Sequence, residues 1–186
     1  AKHMFTGYDH LLFLLGVIFF LYRIKDIALY VSLFAIGHSI TMILGVYLDI
    51  RYNPYIIDAI IGLSVVYKAM DNMGWFSRWL GVTPNTKIAT LIFGLVHGFG
   101  LATKLQDFAL PKQGLLANLL AFNVGVELGQ VFALIIIFIA ISYWRHTASF
   151  TRHAYHANVV LLMAGCALMA QQLIACQVQI QSTVDQ

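Results

Sequence analysis

Asp9 with His10, His38, His97 and Glu127 all fall inside hydrophobic runs, and His3 stands one step before the first run. A charged side chain held in a bilayer costs about 2.5 to 3.5 kcal/mol on insertion scales, so residues of this kind mark function by default. Three imidazoles with one or two carboxylates suit a borderline divalent ion such as Ni²⁺, Co²⁺, Zn²⁺ or Fe²⁺. The lack of thiolate argues against Cu(I), and the excess of imidazole argues against Mg²⁺ or Ca²⁺. The candidate metal ligands are therefore Asp9, His10, His38, His97, Glu127 and His3. Ser39, Thr41, Asn123, Gln130 and Asp58 are the polar partners available to orient them.

The spacing is consistent with one shared interior face. His3 and His10 are seven residues apart, Asn123 and Glu127 are i,i+4, and Gln130 follows Glu127 at i+3. At about 1.5 Å per residue from the outer end of each run, Asp9 and His10 lie roughly 8 to 10 Å deep, His38 roughly 14 Å and His97 roughly 12 Å. Asn123 and Glu127 lie roughly 12 and 18 Å deep, so four antiparallel helices bring polar groups within about one or two turns of one plane. His3 is roughly 10 Å along the helix from His10, too far for both to hold one ion easily; it is an entry ligand or an ordinary terminal residue. Glycine flanks the set at 37, 94, 98 and 100, and Gly125 with Gly129 makes a small-xxx-small spacing that predicts close approach on the Glu127 helix.

The elements that must carry these residues follow from composition. With 60% hydrophobic and 10% charged residues and a mean hydropathy of +0.80, the chain is an integral membrane protein, since an average soluble domain has about 25% charged residues. A helix needs roughly 20 apolar residues to span the hydrocarbon, and six runs qualify: 4–22, 27–47, 54–73, 87–105, 115–143 and 157–178. The fifth is longer than needed, so it tilts or extends past the bilayer. The runs are continuously apolar, whereas barrel strands would alternate over about ten residues. The expected fold is all-α, a compact bundle of six transmembrane helices forming one domain over 1–186.

Short connections carry ordinary breakers: Asn53-Pro54, Thr83-Pro84-Asn85, and Pro111 with Gly114. Arg23, Lys25, Arg78, Lys87, Arg145 and Arg152, with Lys68 close by, follow the odd-numbered spans; Lys2, Arg51, Lys104 and Lys112 lie on the other side. This excess predicts that both termini are outside. Position 1 is Ala, which fits a removed leader peptide, although a trimmed chain would look the same. Cys166 and Cys176 are ten residues apart on one helix, about 15 Å, too far for a disulfide, and read as packing residues. The net charge of +3 comes from flanking basic residues and implies no nucleic acid. The lipid bilayer and a metal ion are the expected partners, and a homo-oligomer or a metal-delivery partner stays open.

Plainer accounts suit other residues. His146, His153 and His156 sit beside Arg145 and Arg152 as a solvated basic turn, with metal hand-off as the alternative. Lys68 and Asp71 read as a local ion pair or a snorkelling lysine, and Asp58 as a cap unless it serves the site. Trp75, Trp79, Tyr143 and Trp144 fall where interfacial aromatic belts form.

Through GYDHLLFLL at 7–15, GHSIT at 37–41, IDAIIGLSVVYKA at 57–69, FGLVHGFGLA at 93–102 and FNVGVELGQ at 122–130, the chain resembles the HupE/UreJ family. Members are hydrogenase and urease accessory membrane proteins regarded as nickel or cobalt permeases. One family signature, a histidine, five residues and then Asp-His, is matched by His3 with Asp9 and His10. The fourth-span signature of nickel permeases has two histidines and a glutamate; this chain keeps only His97, with glycine at 94 and 100. The resemblance implies a multi-pass protein of a bacterial-type inner membrane with an exported amino terminus.

Three functions remain in view. The first is a permease that passes Ni²⁺ or Co²⁺ through the His/carboxylate site in the outer half of the bilayer, by facilitated or proton-coupled entry. The second is a membrane-embedded metalloenzyme of zinc or iron type with an open coordination position and Glu127 as base. The third is a non-catalytic accessory subunit whose polar cluster holds a structural ion or locks helices together.

Overall fold

The computed structural model describes residues 8–106 and 114–184, the side chains of residues 8, 9, 183 and 184 excepted. His3 and the carboxylate of Asp9 thus lie outside the described residues. Six α-helices follow one another: α1 Tyr8–Ile18, α2 Ile24–Tyr47, α3 Pro54–Asn72, α4 Thr86–Gln106, α5 Leu115–Arg145 and α6 Ala148–Val184. A π-helical turn, Phe76–Leu80, stands between α3 and α4, and no strand occurs among the described residues.

The breakers act as helix starts for identifiable reasons. Asn53 accepts the Tyr55 amide at 3.0 Å while Pro54 fills the first helical position, where a missing N–H costs nothing. Asn85 accepts the amides of Lys87 and Ile88 at 3.1 and 3.3 Å and caps α4 in the same way. Gly114 enters α5 at φ +71°, in the left-handed region that suits glycine.

Each of the six expected runs carries a helix, with different ends. α6 begins at Ala148 rather than near 157, because Thr151, Arg152 and His153 continue the helix although they end the apolar run. Hydropathy marks the part of a helix that lipid can surround; hydrogen bonding marks the helix itself. α2, α4, α5 and Ala148–Ser182 of α6 are long and apolar enough to cross a membrane. The described part of α1 has 11 residues, and α3 is interrupted by Asp58, Lys68 and Asp71.

Two helix pairs form the closest seams. A Cβ on Gly37 would come 2.7 Å from the Leu91 carbonyl and one on Gly94 would come 2.5 Å from the Phe34 carbonyl, while Gly98 faces Thr41 and the His38 carbonyl. α2 and α4 therefore meet backbone to backbone. Gly62 and Gly165 do the same for α3 and α6, at 2.7 Å from the Met169 nitrogen and 2.9 Å from the Val66 nitrogen. Such contact is how membrane helices gain dispersion energy when lipid is as apolar as their side chains. Close approach at Gly125 and Gly129 is not what the structure has: a Cβ at either would meet nothing within 4 Å. α5 buries only Leu119, Asn123, Leu134 and Ile141.

Polar contacts define the two ends of the bundle. At one end Gln106 donates to the carbonyls of Gly45 and Ile50 at 2.8 and 3.3 Å. At the other, Arg145 donates to carbonyls at and just past the end of α1, and Asn72 donates to Gly16 and Asn158 at 2.8 and 2.9 Å. The main apolar core, around Phe13, Leu14, Ile18, Phe34 and Val65, lies between the histidine-bearing layer and the Arg145 end.

Candidate metal centre

α1, α2 and α4 each contribute one imidazole to a single cluster. The ring centre of His10 stands 5.3 Å from that of His38 and 4.7 Å from that of His97, both edge to face. His38 and His97 are fully buried. Their placement depends on the α2/α4 glycine seam, since His38 follows Gly37 and His97 precedes Gly98. Any side chain at these glycines would push the two histidine-bearing helices apart.

Four buried nitrogens of these rings lack a hydrogen-bond partner among the described residues: His10 Nε2, both nitrogens of His38, and His97 Nε2. Leaving such atoms unpaired costs about 1 to 3 kcal/mol each, so they call for a ligand. His97 shows which nitrogen is ready. Its Nδ1 lies 2.7 Å from the Phe93 carbonyl, which can only accept, so Nδ1 carries the proton and the Nε2 lone pair is free. This is how a metal-binding imidazole is usually held.

Geometry fits the donor chemistry. An imidazole centre stands about 3.2 Å from an ion on its nitrogen, so two rings on one ion at right to tetrahedral angles are roughly 4.5 to 5.2 Å apart. The observed spacings of 4.7 and 5.3 Å fall at that scale. Among the described residues, no three His, Cys, Asp or Glu side chains are already drawn up as a coordination group. Closing the set takes side-chain rotation, and the side chain of Asp9, the residue before His10, is outside the described atoms.

Glu127 occupies a place one layer out. Its Oε1 accepts from the Ser39 hydroxyl and, at 2.8 Å, from Asn123 Nδ2, which also donates to Ser39 Oγ at 2.8 Å. Ser39 is next to His38 in sequence, and the Glu127 carboxylate is within electrostatic reach of His38. The triad clasps α5 to α2 and brings the Glu127 carboxylate near His38. Ser39 can send its one proton either to Glu127 or to the Ala35 carbonyl at 2.6 Å.

Other expected partners serve elsewhere. Asp58 forms an ion pair with Lys104 at 2.9 Å, and Lys104 is itself within electrostatic reach of His10 and His97. Thr41 donates to backbone carbonyls, including Leu95 on α4 at 2.6 Å, and so stitches the seam rather than orienting an imidazole. Gln130 is half-buried and has no hydrogen bond among the described residues. Lys68 and Asp71 pair at 2.6 Å, as their spacing suggested, and His146, His153 and His156 are exposed. Cys166 and Cys176 are both free.

One feature of the site escaped the residue-type reading. Phe13, Phe34 and Phe93 stand three or four residues from His10, His38 and His97, all toward the Arg145 end. Phe13 lies 5.6 Å from Phe34, 5.5 Å from Phe93 and 5.5 Å from His97, so an aromatic layer floors the histidine layer. Tyr67 continues the stack from Phe93, at 5.3 Å, to Phe76, at 5.1 Å, on the wall of a cavity of about 200 Å³ that Asp71, Ser77 and Thr83 also line. The i±3 and i±4 spacing of phenylalanine from each histidine was the signal that could have revealed it.

Among curated proteins and among solved structures, nothing matches the chain. A family model described as HupE / UreJ protein matches residues 1–179, nearly the whole length, and the chain belongs to the HupE/UreJ family.

Proposed function

We propose that this protein is a six-span membrane permease for a divalent transition metal, Ni²⁺ or Co²⁺, with its cargo held on His10, His38 and His97. The observation that carries the reading is the meeting of three imidazoles from three helices with four buried nitrogens left unpartnered. Family membership supports a metal-related role, and the donor set suits these ions. Asp9 is the carboxylate ligand in this reading, because it neighbours His10. Glu127, held by Ser39 and Asn123, balances part of the cargo's charge. The phenylalanine floor is the barrier that must part for the ion to move on. The chain lies in a bacterial-type inner membrane with both termini outside.

The test is Ni²⁺ and Co²⁺ uptake into sealed proteoliposomes, with the retained metal of the purified protein measured in parallel. Saturable uptake that is lost in His38→Ala and His97→Ala is the expected result. Uptake equal to wild type in both variants would refute the assignment.

A second reading, a membrane metalloenzyme, draws support from the same aromatic floor. Phe13 and Phe34 are buried against the rings, and an enzyme, unlike a carrier, never has to open them. Tight stoichiometric metal with no flux would favour it.

A further inference from the structure

Arg145 is a half-buried arginine at the last position of α5, and none of its described partners is a carboxylate. Its guanidinium spans α1 instead: Nη1 donates to the Leu21 carbonyl at 2.7 Å, and Nη2 to those of Ile18 and Phe19 at 2.6 and 2.5 Å. The Tyr22 ring lies under its carbon at 4.5 Å. The Ile18 carbonyl, which also accepts the Leu21 amide at 3.0 Å, closes α1, and those of Phe19 and Leu21 follow in the turn beyond it, at the negative end of the helix dipole, so a cation there is stabilised without a counter-ion. The planar fork reaches three acceptors at once, which an ammonium at the end of a lysine does less well.

The contact joins the two helices that carry His10 and Glu127. α5 packs sparsely, with four buried residues and open space at Gly125 and Gly129. It is held by polar contacts at two separated points, the Ser39–Asn123–Glu127 clasp and Arg145. Phe19, Trp144 and Phe150 pack beside the second point, with ring centres 5.1 to 6.0 Å apart. Two pins fix a rod in tilt and in axial position, whereas one pin leaves it free to swing.

We propose that Arg145 is a positioning residue for the metal centre: by holding the last turn of α1 it sets where the Glu127 helix stands relative to His10. This rests on the metal reading above. Losing the pin lets α5 swing about the Ser39 clasp, so the carboxylate no longer stands at a fixed distance from the imidazoles and affinity for a dication falls. Maximal flux changes less, because the groups that hold and release the ion are all still present.

The experiment uses the full chain in liposomes, with nitroxides on Phe20→Cys and Ile139→Cys in a Cys166→Ala, Cys176→Ala background. Arg145→Gln, Arg145→Lys and, as a charge control, Arg152→Gln are compared by spin-label distance, by Ni²⁺ equilibrium binding and by uptake. The expected result for Arg145→Gln is a longer and broader α1–α5 distance, Ni²⁺ affinity and KM weakened about tenfold, and maximal flux within about threefold. Arg145→Lys recovers part of both, and Arg152→Gln matches wild type. An unchanged distance in Arg145→Gln overturns the proposal, and so does a changed distance with wild-type affinity, which would leave Arg145 a purely structural cap. A wild-type chain that binds no Ni²⁺ overturns the metal reading and this inference with it. Wild-type binding shared by Arg145→Gln overturns the positioning role alone.

Discussion

At the scale of single residues, the imidazoles differ in how they are held. His97 is set by its bond to Phe93, whereas His38 has neither nitrogen paired and depends on its neighbours for orientation. On the proposed metal reading, replacing either ring by Ala removes a ligand, and we expect Ni²⁺ binding at least 100-fold weaker, about 2.7 kcal/mol, by equilibrium dialysis. Ser39→Ala removes no ligand but frees one contact of Glu127. Second-shell losses typically cost 10-fold to 100-fold in affinity, so about 10-fold is the expected result, and an effect equal to His38→Ala would contradict the outer placement of Glu127. Protons compete with metal for imidazole, since only the neutral ring binds.

At the scale of elements, the helices are joined by glycine seams whose location was only half readable. Gly125 and Gly129 have the spacing that predicts close approach, yet both face open space, and the seams run through Gly37, Gly94 and Gly98, and through Gly62 and Gly165. A glycine pair reports that two helices could touch; which pair does touch depends on the whole packing arrangement. Gly98→Ala should cost about 1 to 3 kcal/mol as an overpacked contact, while Gly125→Ala should stay within about 0.5 kcal/mol as a surface change. Thermal unfolding in detergent distinguishes the two, and equal shifts would show the seam to be misplaced. Lys68 and Asp71 form a largely buried pair with side chains 8% and 19% exposed. Removing one partner of such a pair costs about 3 to 5 kcal/mol, reduced here by the partial exposure of Asp71. Lys68→Met should thus destabilise markedly, and Lys68→Met with Asp71→Leu should recover most of the loss.

At the scale of the whole molecule, the proposed metal binding would be linked to stability. A ligand held only by the folded protein stabilises it by about 2.7 kcal/mol at 100 times its dissociation constant. Ni²⁺ should raise the unfolding temperature of the wild type by several degrees, chelation should reverse the rise, and His38→Ala should abolish it. A shift that persists in that variant would place the ion elsewhere. The two-ended arrangement also bears on the proposed permease role. The histidine layer is floored by Phe13, Phe34 and Phe93, with the Asp71 cavity beyond it, so flux requires movement of aromatic side chains as well as of the ion.

The sequence by itself determined the class and the helices and singled out the candidate residues. Run length and the absence of charge dictate helices in lipid, because every backbone group must be satisfied within its own segment. His10, His38 and His97 were identifiable for the complementary reason, that an imidazole inside such a run is costly unless it is used. Only the tertiary structure decided which helices lie side by side, and with that the meeting of those three rings, the diversion of Asp58 to Lys104 and the outer position of Glu127. Depth along a helix can be counted from the chain, but rotation about its axis and choice of neighbour are set jointly by all six helices. Arg145 shows the limit most clearly: in the sequence it is one more basic residue flanking a span, and in the structure it caps a helix more than 120 positions away.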